Sequence, residues 1–314
     1  IILAPADYEI DTELVIDYPV VISTLGGARA SITRLPTSCN ATASTCRVLR
    51  AVPSAAPILI SGHIVPTMVL LKNLDIYGGH ATGGYGGGIL IEPGNVQVTA
   101  VGCDVRDNDA LFGGGVANFG DLILTNSSVH SNRAMWGAGV YNGRDVLTHA
   151  NASGWDLSSV SLDFSTQMGR GAQLSGSTAS ASLTLNGTAL ASNVAEERPR
   201  VGVGEVMVSL LARDGARGGG LFNFHGTFVL LNGAILVDNQ INSTDAGEND
   251  DSDGDQFWSS STGTYVLPLP LGTYIPANIL PIFTCRKSLS TNVDSYVQDC
   301  DATRFANLTL ATMP

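Results

Sequence analysis

Apolar and polar residues alternate in short bursts along this chain, and the bursts recur with one internal order. Apolar pairs one residue apart stand at Val69 and Leu71, Val96 and Val98, Leu122 and Leu124, Leu183 and Leu185, and Val229 and Leu231. That spacing is the period of a half-buried strand. An aliphatic residue three positions before an asparagine follows, as Val105 with Asn108, Val129 with Asn132, Leu190 with Asn193 and Leu236 with Asn239. Glycine clusters come next, at 86–88, 113–115, 137–139 (with Ala138 in the middle) and 218–220. Three of them lead into another asparagine, Asn118, Asn142 or Asn223. Units beginning at 69, 96, 122 and 146 give a period that falls from 27 to 26 to 24 residues.

Such a period predicts a coil with three short strands per turn. Successive turns pair in parallel at about 4.8 Å, so equivalent residues stack in columns. Stacked Val and Leu fill the interior, stacked Asn bonds along the column, and glycine serves the sharp bends. The leucine-rich repeat has a similar period, but its L-x-x-L-x-L-x-x-N pattern is missing. Shorter turns are expected upstream at 8–22 and 58–60. The coil is expected over residues 1–244, with irregular insertions near 146–182 and 194–217. An acidic Ser-rich loop, 245–266, and a C-terminal cap or linker with a cysteine pair, 267–314, complete the organisation.

Composition agrees. Of 314 residues 36 are glycine, 44% are hydrophobic and only 14% are charged, which excludes intrinsic disorder and argues against a helical bundle. A net charge of −12 carries no basic footprint for nucleic acid. No apolar run approaches the roughly 18 residues of a membrane helix. The opening Ile1-Ile2-Leu3 reads as that of a mature or trimmed chain. Cys39 with Cys46 and Cys285 with Cys300 each bracket a short segment, which predicts two local disulfides and leaves Cys103 as a buried free thiol. Five reduced thiols are the alternative. Six N-x-S/T sequons, at Asn40, Asn126, Asn151, Asn186, Asn242 and Asn307, add to the case for a secreted glycoprotein.

The order [Val/Leu]-x-x-Asn, then Gly-Gly-Gly or Gly-Ala-Gly, then an apolar residue resembles the repeats of the polymorphic outer membrane protein (Pmp) family. These occur in chlamydial surface proteins and in algal and protist relatives. The family carries F-x-x-N and G-G-A-[ILV]. Here Val105, Val129, Leu190 and Leu236 stand in the Phe place, and Gly114-Gly115-Val116, Gly219-Gly220-Leu221 and Gly137-Ala138-Gly139-Val140 are altered forms of the second motif. The likeness covers about residues 69–242. It implies an all-β fold, a right-handed parallel β-helix or pectin-lyase-like solenoid with a C-terminal cap or extension. It also implies a surface-exposed protein of adhesion or surface structure.

Parallel β-helices also house polysaccharide lyases and hydrolases, whose sites need acids or bases on adjacent turns of one face. Asp75 and Asp104 each precede the aliphatic residue of their turn, which sets two carboxylates about 5 Å apart. The column loses its acid at Ser128, and solvated acids on a strand edge are the simpler reading. His63, His80, His130, His149 and His225 are scattered, with His130 expected to point outward, and Arg198 and Arg200 belong to a charged loop. Asn249, Asp251, Asp253 and Asp255, with Gly254, resemble the first half of a calcium loop; the closing Glu is replaced by Ser260, so structural calcium competes with a plain acidic loop. Tyr85, Phe112 and Trp136 stand directly before their glycine clusters and form one column, either a structural ladder or a sugar-stacking face. The expectation is an extracellular structural or adhesive glycoprotein. Its partners are itself, other surface-assembly proteins, or glycans, and it carries no complete catalytic set. A carbohydrate-active enzyme or glycan-binding module is the alternative.

Overall fold

Short extended segments separated by single left-handed residues dominate the chain. The structure, a computed structural model, describes residues 1–35, 46–55, 59–60, 63–144, 181–196, 216–224 and 226–242, with strands at Phe257–Ser259 and Thr264–Val266. Apart from one antiparallel pair, Leu59–Ile60 with His63–Ile64, the strands lie parallel in four stacked sheets. Sheet 1 runs through Ile2–Leu3, Val20–Thr24, Thr67–Lys72, Val96–Val101, Asp121–Thr125, Ser182–Asn186, Thr227–Leu231 and Thr264–Val266. Sheet 2 holds Asp7–Ile10, Ala30–Arg34, Leu74–Tyr77, Asp104–Arg106, Ser128–His130, Ala189–Ala191 and Ile235–Val237. Sheet 3 holds His80–Tyr85, Asp109–Phe112, Arg133–Ala134, Val194–Glu196 and Gln240–Asn242. Sheet 4 holds Leu14–Ile16, Leu49–Ala51, Ile89–Ile91, Val116–Asn118, Val140–Gly143, Leu221–Phe224 and Phe257–Ser259. From Thr67 onward the chain visits sheets 1 to 4 in order and returns to sheet 1 one strand further on, the path of a solenoid; the first two turns pass from sheet 2 to sheet 4 without a strand in sheet 3.

Alternation along each strand builds the interior. In sheet 1 the column Val69, Val98, Leu122, Leu183 and Phe228 is buried. In sheet 2 it is Ile32, Ile76, Val105, Val129, Leu190 and Leu236, and in sheet 4 Leu49, Ile89, Val116, Val140 and Leu221. These columns form one continuous core. Each fully buried aliphatic side chain contributes roughly 1.5–3 kcal/mol, which makes the columns the main source of stability.

Three corners of the turn require a left-handed residue. Between sheets 1 and 2 these are Gly26 with Gly27, Asn73, Gly102, Asn126, Gly187, and Asn232 with Gly233; between sheets 2 and 3, Gly78, Asp107, Ser131, Ser192 and Asp238. Between sheets 3 and 4 only glycine serves, at Gly86, Gly113, Gly137 and Gly218. There a Cβ on Gly113 would lie 2.4 Å from the Val116 carbonyl oxygen, too close for any other residue. Inside the corners polar side chains stack. Asn108, Asn132, Asn193 and Asn239 form one ladder, each of the first three donating from Nδ2 to the Oδ1 of the next at 2.8–3.1 Å. Asn118, Asn142 and Asn223 form a second, at 2.7 Å per step. All seven are 2% exposed or less, so each ladder supplies the partners that buried amides and turn backbone need.

Several expectations shift. The turn has a fourth short strand where three were expected, because the residues after the ladder asparagine stay extended until the left-handed glycine. Val69 pairs with Val98 rather than Val96, and Val229 and Leu231 face outward, with Phe228 and Leu230 inside. The last shift comes from one extra residue at a corner, where Asn232 and Gly233 both take positive φ against Gly187 alone. Val194–Glu196, placed in the 194–217 insertion, pairs in sheet 3. Phe257–Ser259 and Thr264–Val266, placed in the 245–266 loop, pair in sheets 4 and 1, so the coil runs past residue 244. Cys46 is disulfide-bonded and Cys103 is a buried free thiol, whose proton burial holds in place by raising its pKa. Cys39, Cys285 and Cys300 lie outside the described residues.

Candidate functional site

The outer face of sheet 2 carries the densest exposed chemistry. Two rows cross its strands: Asp75, Asp104 and Ser128, and beside it Tyr77, Arg106 and His130. The expected pairing of Asp75 with Asp104 on neighbouring strands is present. Arg29 reaches over both, with Nη1 at 2.5 Å from Asp75 Oδ1 and 3.7 Å from Asp104 Oδ2. Arg106 Nε stands 4.0 Å from Asp104 Oδ2, and its guanidinium lies 4.4 Å over the Tyr77 ring. His130 points outward as expected and sets Nε2 2.9 Å from Asp104 Oδ1, a close contact without the alignment of a hydrogen bond. The two carboxylates are thus spent on cations rather than facing each other across a cleft, where a two-carboxylate hydrolysis needs them. Arg29, Arg106 and Tyr77 escaped sequence reasoning. Alternation places Arg106 and Tyr77 in the outward row of His130, so that signal was present; nothing in the repeat marks Arg29.

The other sequence candidates fall in different places. Tyr85, Phe112 and Trp136 do form one column, with ring centroids 4.7 and 5.3 Å apart. They are 2%, 0% and 6% exposed, closed by one another and by Phe119, Tyr141 and Phe222. A sugar stacks on an open ring face, and this column presents none, which corrects the sugar-binding expectation in favour of a structural ladder. Among the sequons, Asn126 and Asn242 are exposed, and Asn186 is half-buried with its Oδ1 accepting from Asn232 Nδ2 at 2.6 Å. Asn40, Asn151 and Asn307 lie outside the described residues, as do the calcium candidates Asn249, Asp251, Asp253 and Asp255, and Arg198, Arg200, His149 and His225. Among the described residues no group of three or more His, Cys, Asp and Glu side chains is placed to hold a metal. His80, exposed, stands 3.2 Å from Asp109.

A buried charged group near the start of the coil also went unread. Arg47, 2% exposed, donates from Nη1 to Glu13 at 2.9 Å and from Nη2 to the Tyr85 carbonyl at 3.0 Å. Arg50 Nε donates to Glu92 at 2.7 Å. Burial pulls the Arg47 pKa down and pushes the Glu92 pKa up, each opposed by the neighbouring opposite charge. Every member has a partner, which marks a structural network holding the first glycine corner.

Sheet 1 presents the opposite surface. Strand by strand across Thr67–Lys72, Val96–Val101 and Asp121–Thr125, the outward residues are Met68, Leu70 and Lys72; Gln97, Thr99 and Val101; Asp121, Ile123 and Thr125. Thr184 and Val229 continue the cross-strand line of Leu70, Thr99 and Ile123 on later strands. The face is flat, aliphatic and threonine-rich, with one cation and one anion among the nine. Among the described residues no helix is long and apolar enough to cross a membrane. No family model matches the chain, and no curated protein or solved structure matches it either.

Proposed function

We propose that this chain is an extracellular structural or adhesive glycoprotein built as a right-handed parallel β-helix, a subunit of a cell-surface or appendage assembly. The observation that carries the reading is the pairing of two unlike flat faces on one rigid stack. Sheet 1 offers a nearly uncharged surface for dry contact, and sheet 2 offers a hydrated, ion-paired one. The recurring positions of the repeat serve the coil itself, as core columns, amide ladders and corner residues. The exposed sequon Asn242, the disulfide at Cys46 and the likeness to Pmp-type repeats support a secreted, surface-bound setting. Negative-stain electron microscopy of the protein from its native source tests the reading. Filaments or sheets containing the chain are expected; isolated particles with polysaccharide-cleaving activity would replace the reading with an enzymatic one.

A further inference from the structure

We propose that the outer face of sheet 1 binds a second copy of this chain, face to face, about a twofold axis over Thr99. The inference rests on the reading that the chain assembles, and it names the partner and the contact.

The argument is one of charge and symmetry. The register sets Thr99 opposite Leu70 on one side and Ile123 on the other. Lys72 pairs with Val101, and Asp121 with Gln97, so the two charges occupy diagonal corners of a three-by-three patch centred on Thr99. From the strand spacing and the rise per residue the diagonal spans about 16 Å. An axis in the plane of the face, through Thr99 and perpendicular to that diagonal, exchanges the two corners. Lys72 of each copy then meets the partner's Asp121, and both charges are neutralised by one operation. A twofold contact has to be self-complementary in this way. Lys72 has no ion-pair partner among the described residues, and Asp121 Oδ1 accepts only the Ser182 hydroxyl, at 2.5 Å. Both are exposed, as is Met68, whereas Leu70, Thr99, Val101, Ile123 and Thr125 are half-buried and pack as a flat surface.

The remaining seven residues of the patch carry no charge, so the contact costs little desolvation beyond the two ion pairs. Strands of the two copies cross steeply, as in orthogonal sheet packing. The three-strand patch, roughly 14 by 18 Å, buries on the order of 500 Å² in total, below the range of specific, stable interfaces. The dimer is therefore weak, concentration-dependent and sensitive to salt.

Sedimentation velocity of the purified full chain over a concentration series tests this, with Lys72→Asp, Asp121→Lys and the double exchange. The expected result is a reversible dimer. Each single reversal weakens it at least tenfold, the double exchange restores it, and molar salt weakens the wild type. Far-UV circular dichroism confirms folding; both side chains point outward, and the rescue guards against a merely structural effect. A wild type that stays monomeric, or a dimer indifferent to both reversals, overturns the inference. If the native protein forms filaments while the reversals change nothing, the assembly reading stands and this contact falls. If the native protein is isolated but the purified chain dimerises through Lys72 and Asp121, the contact stands and the assembly reading falls.

Discussion

Asn132, fully buried, carries four side-chain hydrogen bonds. Its Oδ1 accepts from the backbone and side-chain nitrogens of Asn108, both at 3.1 Å, and its Nδ2 donates to Val105 O at 2.9 Å and Asn193 Oδ1 at 3.0 Å. Replacing it with Ala removes these bonds and strands buried groups on two neighbouring turns. The expected cost is about 3 kcal/mol, read as a lower urea midpoint. A loss under about 1 kcal/mol would mean that the ladder is not a stability element. The asparagine positions were legible because they repeat. The charged network around Arg47 was not, because its members hold no recurring place. Glu92 supplies a test there. Burial raises its pKa above the ordinary value, against the pull of Arg50. A raised folded-state value means that its contribution to stability is fully present below the unfolded pKa and is lost as pH rises through the folded one. Glu92→Gln removes that titration. The stability of the variant relative to wild type should therefore climb in denaturant titrations as pH rises above the ordinary glutamate pKa of about 4.3. A flat difference would show that the ion pair with Arg50 cancels the burial.

At the scale of the element, the corners decide where strands end. Two corner columns accept Asn, Asp, Ser or Gly, and the third accepts only glycine, which follows from what surrounds the missing Cβ. At Ser192 the backbone has φ of 52° and the side chain is exposed. Ser192→Gly relieves the left-handed strain and should stabilise the chain by roughly 0.5 kcal/mol, seen as a small rise in Tm. At Gly113 an added methyl group meets the Val116 carbonyl, so Gly113→Ala should cost at least about 3 kcal/mol and is expected to impair folding. Equal effects at the two sites would undo this account of the corners. The glycine clusters stood out in the sequence, but the single left-handed residues did not, since lone Asp and Ser carry no signal of their own. That is also why the unit at Val229 was read one residue out of place. The Leu-Asn-Gly of Leu185 to Gly187 and that of Leu231 to Gly233 look alike, yet Leu185 faces inward and Leu231 outward. One extra left-handed residue at the second corner is enough to reverse them.

The whole molecule behaves as a stack whose turns touch only their neighbours, and its order came through in the sequence because columns force repetition. What did not come through was the surface. The outward residues of sheets 1 and 2 follow from alternation once the inward ones are known, but neither Lys72 with Asp121 nor Arg29 with Asp75 repeats. Nearest-neighbour stacking makes a sharp prediction about length. Val98 pairs with Leu122, Asp104 with Ser128 and Asn118 with Asn142, a uniform offset of 24 residues. Deleting residues 98–121 therefore removes one whole turn and joins Gln97 to Leu122. Leu122 then falls opposite Val69, Val140 opposite Ile89, and the Gly79 amide that now bonds to Asn108 finds Asn132 in its place. No column changes face, so this variant should fold, with an unchanged far-UV spectrum per residue and a urea midpoint somewhat below wild type. Deleting residues 99–121 instead joins Val98 to Leu122 and shifts the strand by one. Leu122 and Leu124 then turn outward, and this shorter deletion should aggregate or unfold. Two deletions that differ by one residue thus separate a register-bound stack from a loosely specified sheet. If both fold or both fail, the columns do not set the register, and the amide ladders become accompaniments of the fold rather than its cause.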